Sequence, residues 1–557
     1  MSLPEPATPV WQPVELSFVS TRSHSWNSFP IQVRFIHDSG KTHTLDAYFE
    51  GGARWGVRFA PSLPGQWRWE SLTPDIHGPR SGTLAVRAAS MQEVAANPNL
   101  RGHLRARSGE RYFRRADGTP FFFLGDTNWY ALTCRTGIDQ NSHFCGEVLD
   151  HDVSFGKRDE STRGPANNNF DVWLQDRVRK GFNGVMIRYV PRNLNGSNEG
   201  GCGFPSGPDP LSLSDCETSD WSNLNPGFFA QADRRMKRLW QNGLVIAGHP
   251  NWLASSTITI EEAKDFTRYL LARYGAYALI WSLSGEFQNT GGRKTHWGED
   301  RSRFEPFRQL GRSLRSGEGS QTWFERYNYH HPVSIHPVGS PPRARGAQTS
   351  VTTFKGEPWI DHHWVQTYTH PEQIESRVKE TWESAKKPVL MAEPCYENFS
   401  QDSSCDRYQT RYSAWVAALS GAAGHAYGVQ GIYRMNGTSV QNLATPGSTD
   451  VIRVLNFLDQ FFVSNDWADL SPFDCSGNQS GNWASNPICA KHPNGYLVAY
   501  LPQGREEPFQ IPETIGLDQR DLRWFNPRTG ASHVSSEAGV SPEVTRPDAS
   551  DWVLVIQ

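Results

Sequence analysis

Hydrophobic and polar positions follow three regimes along the chain. From Pro9 to about Ala88, runs such as VELSFVS, IQVRFIHD and GQWRWESL alternate in steps of two, broken by Gly and Pro at intervals of about ten residues. That pattern predicts short antiparallel strands and a β-sandwich over residues 1–90 with no compact cluster of acids or histidines. From 91 to 465 the period changes: buried-strand runs alternate with stretches of helical period. The runs are FFFLGDTNWY (121–130), GVMIRYV (184–190), LVIAGHPNW (244–252), ALIWSLSGEFQ (278–288), Val333–His336, Ile360–Tyr368, KPVLMAEPCYEN (387–398) and AAGHAYGV (422–429). Between them, Phe170, Trp173, Leu174 and Val178 share one helical face, as do Ala232, Met236 and Leu239, and Ala263, Phe266 and Leu270 behind a capping box at Thr259 and Glu262. From 466 to 557 period-two runs return in LVAYLP, LRWFNPRTG and WVLVIQ, a second β-sandwich.

Repeated strand and helix units without a Gly-rich phosphate loop predict an α/β fold, a (β/α)8 TIM barrel flanked by N-terminal and C-terminal β-sandwich domains. The C-terminal ends of barrel strands form the active face, so residues at those ends carry the chemistry. Two runs end on a single acid, Glu286 and Glu393. Two carboxylates in one cleft, their proton affinities pushed apart by environment, supply an acid and a nucleophile or base. Around them, Asp126, Asn128, Trp129, Arg188, His249, Asn251, Trp252, Gln288, His336, His363, Gln366, Tyr396, His425 and Tyr427 are expected at strand ends, where planar donors, acceptors and aromatic faces suit a hydroxyl-rich ligand.

Composition narrows the classes. A net charge of −3 gives no electrostatic footprint for nucleic acid or an anionic membrane, and no run of eighteen apolar residues exists. The eight cysteines form four close pairs, Cys134/Cys145, Cys202/Cys216, Cys395/Cys405 and Cys475/Cys489, none with metal or redox spacing. Four short-loop disulfides are the simplest account and imply an oxidising, extracellular or periplasmic location. The opening residues carry no basic-then-apolar signal, so the expectation is a chain whose export signal has been removed. The His330-His331 and His362-His363 pairs lack metal-ligand spacing, and no cofactor or metal is expected. The sequence does not give the oligomeric state.

GDTNW after DGTPFFFL, IWSLSGEFQ, KPVLMAEPCYEN and RWFNPRTG together resemble the apiosidase-like (β/α)8 glycoside hydrolases of the broad retaining clan. YFEGGARWGVRFAPSLPGQWRW is similar to the sandwich that precedes such barrels, and the C-terminal region resembles a domain labelled for collagen binding. The resemblance implies hydrolysis of O-glycosidic bonds in a plant- or algal-type carbohydrate, Glu286 after strand four as acid/base and Glu393 ending strand seven as nucleophile. It also implies substrate contacts at Asp126 and His249. The chain departs from the clan pattern at Gly285, where many members place an Asn that binds the sugar's 2-hydroxyl. Double displacement requires a carboxyl separation of about 5–5.5 Å, with Glu286 titrating above Glu393. The alternatives are a non-catalytic carbohydrate-binding protein on the same barrel and a metal-dependent hydrolase or lyase.

Overall fold

The structure is a computed structural model that describes residues 7–132, 134–135, 169–190, 199–200, 221–256, 258–289, 297, 304–316, 329–339, 349–399, 405–433, 441–462, 465–475, 486–504, 507–515, 521–535 and 542–557. Its centre is a parallel sheet of eight strands: Phe123–Thr127 (β1), Gly184–Arg188 (β2), Val245–His249 (β3), Leu279–Ser282 (β4), Val333–Ser334 (β5), His363–Gln366 (β6), Val389–Glu393 (β7) and Gly424–Tyr427 (β8). The order is β5-β4-β3-β2-β1-β8-β7-β6, and every ladder between neighbours is parallel. The two edges meet where the Asp361 amide donates to the Val333 carbonyl at 2.8 Å and the Asp361 carboxylate accepts from the Val333 amide at 2.9 Å. The sheet therefore closes into the expected barrel.

Every strand residue of β1 to β8 is buried, as it must be when helices cover one face and the barrel interior the other. Among the described residues the six longest helices are Asn169–Lys180 (α1), Pro226–Gln241 (α2), Ile260–Tyr274 (α3), Glu305–Ser316 (α4), Ile374–Ala385 (α5) and Arg407–Leu419 (α6). Gly181 and Gly243 stop α1 and α2 at φ of 99° and 79°, a left-handed conformation that glycine adopts without a Cβ penalty. The Thr259 and Glu262 capping box opens α3 as the sequence predicts.

Before the barrel lie a five-stranded and a four-stranded sheet, the sandwich expected at the N-terminus. It docks on α2 and α3 through buried charge. Arg58, 2% exposed, donates to Glu15 at 3.0 Å and to Asp233 at 3.3 Å, while Arg273 grips the same Asp233 with two bonds of 2.8 Å. After the barrel, a six-stranded sheet and a two-stranded antiparallel sheet enclose a separate apolar core that includes Leu497, Phe509, Trp524 and Leu554. Arg411 of α6 ties this region to the barrel through two 2.7 Å bonds to the buried Asp551.

Cys395–Cys405 and Cys475–Cys489 are disulfide-bonded as expected. The pairings proposed for Cys134 with Cys145 and Cys202 with Cys216 lie outside the described residues. Among the described residues no helix is long and apolar enough to cross a membrane.

Candidate active site

The segment after β4 is gripped on both flanks. Leu283 and Phe287 donate their amides to the carbonyls of Ser334 and His336, and the Gly285 amide donates to the Asn251 carbonyl. Buried Phe287 anchors the turn against Phe304, Phe307 and Phe354. Between these ties Glu286 adopts a φ of 35°, a left-handed conformation that costs a non-glycine residue about 1–3 kcal/mol and persists only where the surroundings enforce it. Its half-buried carboxylate accepts from Gln366 Nε2 at 3.2 Å and from Asn289 Nδ2 at 2.7 Å.

Glu393 reaches the same place by a bulge. Along β6 and β7, Val365 faces Met391, but the next β6 residue, Gln366, faces Glu393. Two residues of β7 thus match one of β6, so Met391 and Glu393 point to opposite sides of the sheet. Gln366 links the two acids, opposite Glu393 in the ladder and bonded to Glu286 through its amide. Glu393 Oε1 accepts from the Tyr396 hydroxyl at 2.6 Å, and Oε2 lies 3.3 Å from His336 Nε2.

An aromatic wall completes the site. The Trp129 ring lies 5.2 Å from His249, 5.4 Å from Trp252 and 5.9 Å from His336, and its Nε1 donates to the Tyr396 hydroxyl at 3.2 Å. Arg188 sets its guanidinium 4.1 Å from the Tyr130 ring centre and 5.3 Å from that of Trp252. Burial holds both imidazoles neutral: His336 is pushed down to about 3, and His249 well below its ordinary value, aided by His336 and Arg188. A neutral imidazole offers one donor and one acceptor. Asn128 Nδ2, both nitrogens of His249, His336 Nδ1 and Gln366 Oε1 are buried without a hydrogen-bond partner among the described residues. Asn251 and Gln288 serve the loops instead, accepting from the amides of Trp252 and Val338 at 2.7 and 2.8 Å. Gly285 is required by space, since a Cβ there would lie 2.8 Å from Trp252 and 2.9 Å from His249.

Four expected site residues lie elsewhere. Asp126 is turned to the helix layer, where Oδ2 accepts from Trp173 Nε1 at 2.6 Å and Arg177 Nε at 2.7 Å. Burial raises its affinity for a proton despite Arg177. Tyr427, on that same outer face, donates to Glu397 and shares a 2.9 Å bond with Thr445. His425, two residues earlier in β8, occupies the outer face as well, level with Leu124 and Met391. His363 opens β6 instead of ending it, and its Nδ1 bonds Ser350 at 2.9 Å. The sequence reading missed Asn289 and Tyr130. Asn289 carried a usable signal, standing three residues past the acid in a turn; Tyr130 carried none.

Among the described residues no group of three or more His, Cys, Asp or Glu could hold a metal ion. Curated proteins yield no match. Among solved structures, a Bacteroides vulgatus protein described as a "putative glycoside hydrolase" is 15% identical, with 99% of each chain covered and a TM-score of 0.70. A family 5 glycoside hydrolase from the same species is 18% identical over 83% of this chain and 94% of its own, with a TM-score of 0.59. These likenesses show a fold shared with glycoside hydrolases. A domain of unknown function matches residues 7–73, and a "putative collagen-binding domain of a collagenase" matches 477–557. The family described as "Apiosidase-like, catalytic domain" matches residues 107–468, which hold both acids and more than half of the sequence, and the chain belongs to that apiosidase-like family.

Proposed function

We propose that the protein hydrolyses O-glycosidic bonds of a plant- or algal-type oligosaccharide or polysaccharide with retention of configuration. The observation that carries this reading is the convergence of Glu286 and Glu393 on Gln366, from the ends of β4 and β7. Glu393 attacks the anomeric carbon while Glu286 protonates the departing oxygen. Glu286 then takes a proton from water as that water attacks the glycosyl ester, freeing Glu393. Asn128, His249 and His336 offer the planar donors and acceptors that sugar hydroxyls need, and Trp129 and Trp252 the apolar faces. Two disulfides support a secreted protein.

The test is release of reducing ends from a panel of plant and algal polysaccharides and aryl glycosides by wild type, Glu286→Ala and Glu393→Ala. Loss of at least about a thousandfold in both variants is expected. Activity surviving in both refutes the assignment, and binding without cleavage by wild type across the panel would make the barrel a carbohydrate-binding module.

A further inference from the structure

Tyr396 stands three residues past Glu393, where a substrate contact would be read from sequence. Its bonds assign it elsewhere. An indole N–H is a donor only, so the 3.2 Å contact with Trp129 Nε1 obliges the Tyr396 oxygen to accept. The phenolic hydrogen then has one direction to take, toward Glu393 Oε1 at 2.6 Å. Burial, and next to it the Glu393 charge, push the phenol well above its ordinary range, so it keeps that hydrogen.

Three features hold Tyr396 in this attitude. The Cys395–Cys405 disulfide closes the loop on one side, and Glu397 pairs with Cys405 and Val429 on the other. The Glu397 carboxylate accepts from the Gly447 amide at 2.9 Å and from the Tyr427 hydroxyl. The Tyr396 ring packs 5.0 Å from Tyr433 and 6.1 Å from Phe399, and a Cβ on Gly428 would strike it.

We infer that Trp129, Tyr396 and Glu393 form a one-way hydrogen-bond relay in which Tyr396 is a positioning residue that keeps Glu393 ionised and turns Oε2 toward the reacting carbon. The inference rests on Glu393 acting as nucleophile. A donated O–H stabilises the carboxylate over the acid, and it occupies Oε1, leaving Oε2 beside the neutral His336. Among the described residues, the titratable groups that face this carboxylate include His336 from the β5 end and Tyr396 itself, with Glu286 across the Gln366 bridge.

The experiment reads Glu393 without any substrate. Wild type, Tyr396→Phe and Trp129→Phe are treated with a water-soluble carbodiimide and an amine nucleophile between pH 4 and 8. Labelling of Glu393, which follows the protonated acid, is read by peptide mass spectrometry. In Tyr396→Phe the labelling midpoint of Glu393 is expected to rise by about one pH unit, the effect of losing one charge-assisted bond. Trp129→Phe should move it the same way by less, and Glu397, which Tyr427 and Gly447 still hold, should label as in wild type. An unchanged Glu393 midpoint in a Tyr396→Phe variant with native circular dichroism overturns the relay. So does an equal change at Glu397, which would reveal general loosening. Should the glycoside panel fail while the midpoint moves, the hydrogen-bond relay that keeps Glu393 ionised stands, and the proposed reaction falls together with the aiming of Oε2. With a cleaved substrate in hand, Tyr396→Phe should lower kcat by about tenfold or more and leave KM within about threefold.

Discussion

The side-chain amide of Gln366 donates to Glu286 Oε1 at 3.2 Å, from a residue that faces Glu393 across the β6–β7 ladder. One amide therefore sets the position of one acid and shares a strand level with the other. On the proposed mechanism, Gln366→Ala is expected to lower kcat/KM by about tenfold to a hundredfold, the range of a lost bond to a charged group. Gln366→Glu should do worse by placing a third carboxylate in the pair. Activity within twofold of wild type in both variants would remove Gln366 from the site.

The steric limit at Gly285 gives a second expectation. A side chain there must displace Trp252 or His249, both held against Trp129. Gly285→Ala is expected to cost about 1–3 kcal/mol of stability, the usual range for overpacking, together with most of the activity. Thermal unfolding and turnover measured on one preparation decide it; a fully active Gly285→Asn protein would show that the wall can yield.

Acid should destabilise the protein early. Burial first of all lowers the proton affinity of His103, His249, His331, His336, His362, His363 and His425, four of them to about 3. In the unfolded chain a histidine takes up its proton near pH 6.5, so the unfolded state binds more protons from that pH down to about 3. The stability these rings contribute is complete above pH 6.5 and is lost as pH falls through that window, by about 1.4 kcal/mol per pH unit for each ring kept neutral. Tm is expected to drop steeply between pH 6.5 and 5, before most carboxylates titrate. A Tm that stays level down to pH 4.5 would contradict it.

At the N-terminal sandwich, Asp233 answers two buried guanidinium groups. Desolvation opposes its charge, but Arg273 and Arg58 outweigh that and hold its carboxyl below the usual range. Asp233→Ala leaves Arg58 and Arg273 buried without it, at a cost of about 3–5 kcal/mol. Limited proteolysis should then release the sandwich before the barrel. Equal resistance in variant and wild type would mean that apolar packing alone holds the two together.

The Cys395–Cys405 loop offers a separate check on the active face. The Cys395→Ser, Cys405→Ser double variant is expected to lose about 2–3 kcal/mol, as for other short disulfide loops, and to lower kcat by freeing Tyr396. Retained kcat with lowered Tm would confine the bond to stability.

The eight barrel strands and the two flanking β-regions were legible in the sequence, though the helix Glu305–Ser316 was not. Strand-length apolar runs, helical periods and stops such as Gly181 and Gly243 are local signals, and a barrel is the repeat of one local unit. The two acids proposed for catalysis were legible as well, since Glu286 and Glu393 each close a strand run. What the sequence left undecided was the direction in which side chains point. Strands buried on both faces show no alternation of polar and apolar residues, so Asp126, His425 and Tyr427 read like pocket residues although they face the helices. His363 was misplaced because a strand's first residue and its last look alike in an unbroken run. The bulge that turns Glu393 inward, the contact that forbids a side chain at Gly285 and the bond from Trp129 to Tyr396 join residues up to 267 positions apart. Only the closed barrel brings such residues within a few ångströms, and that closure decided which of the polar side chains share a site.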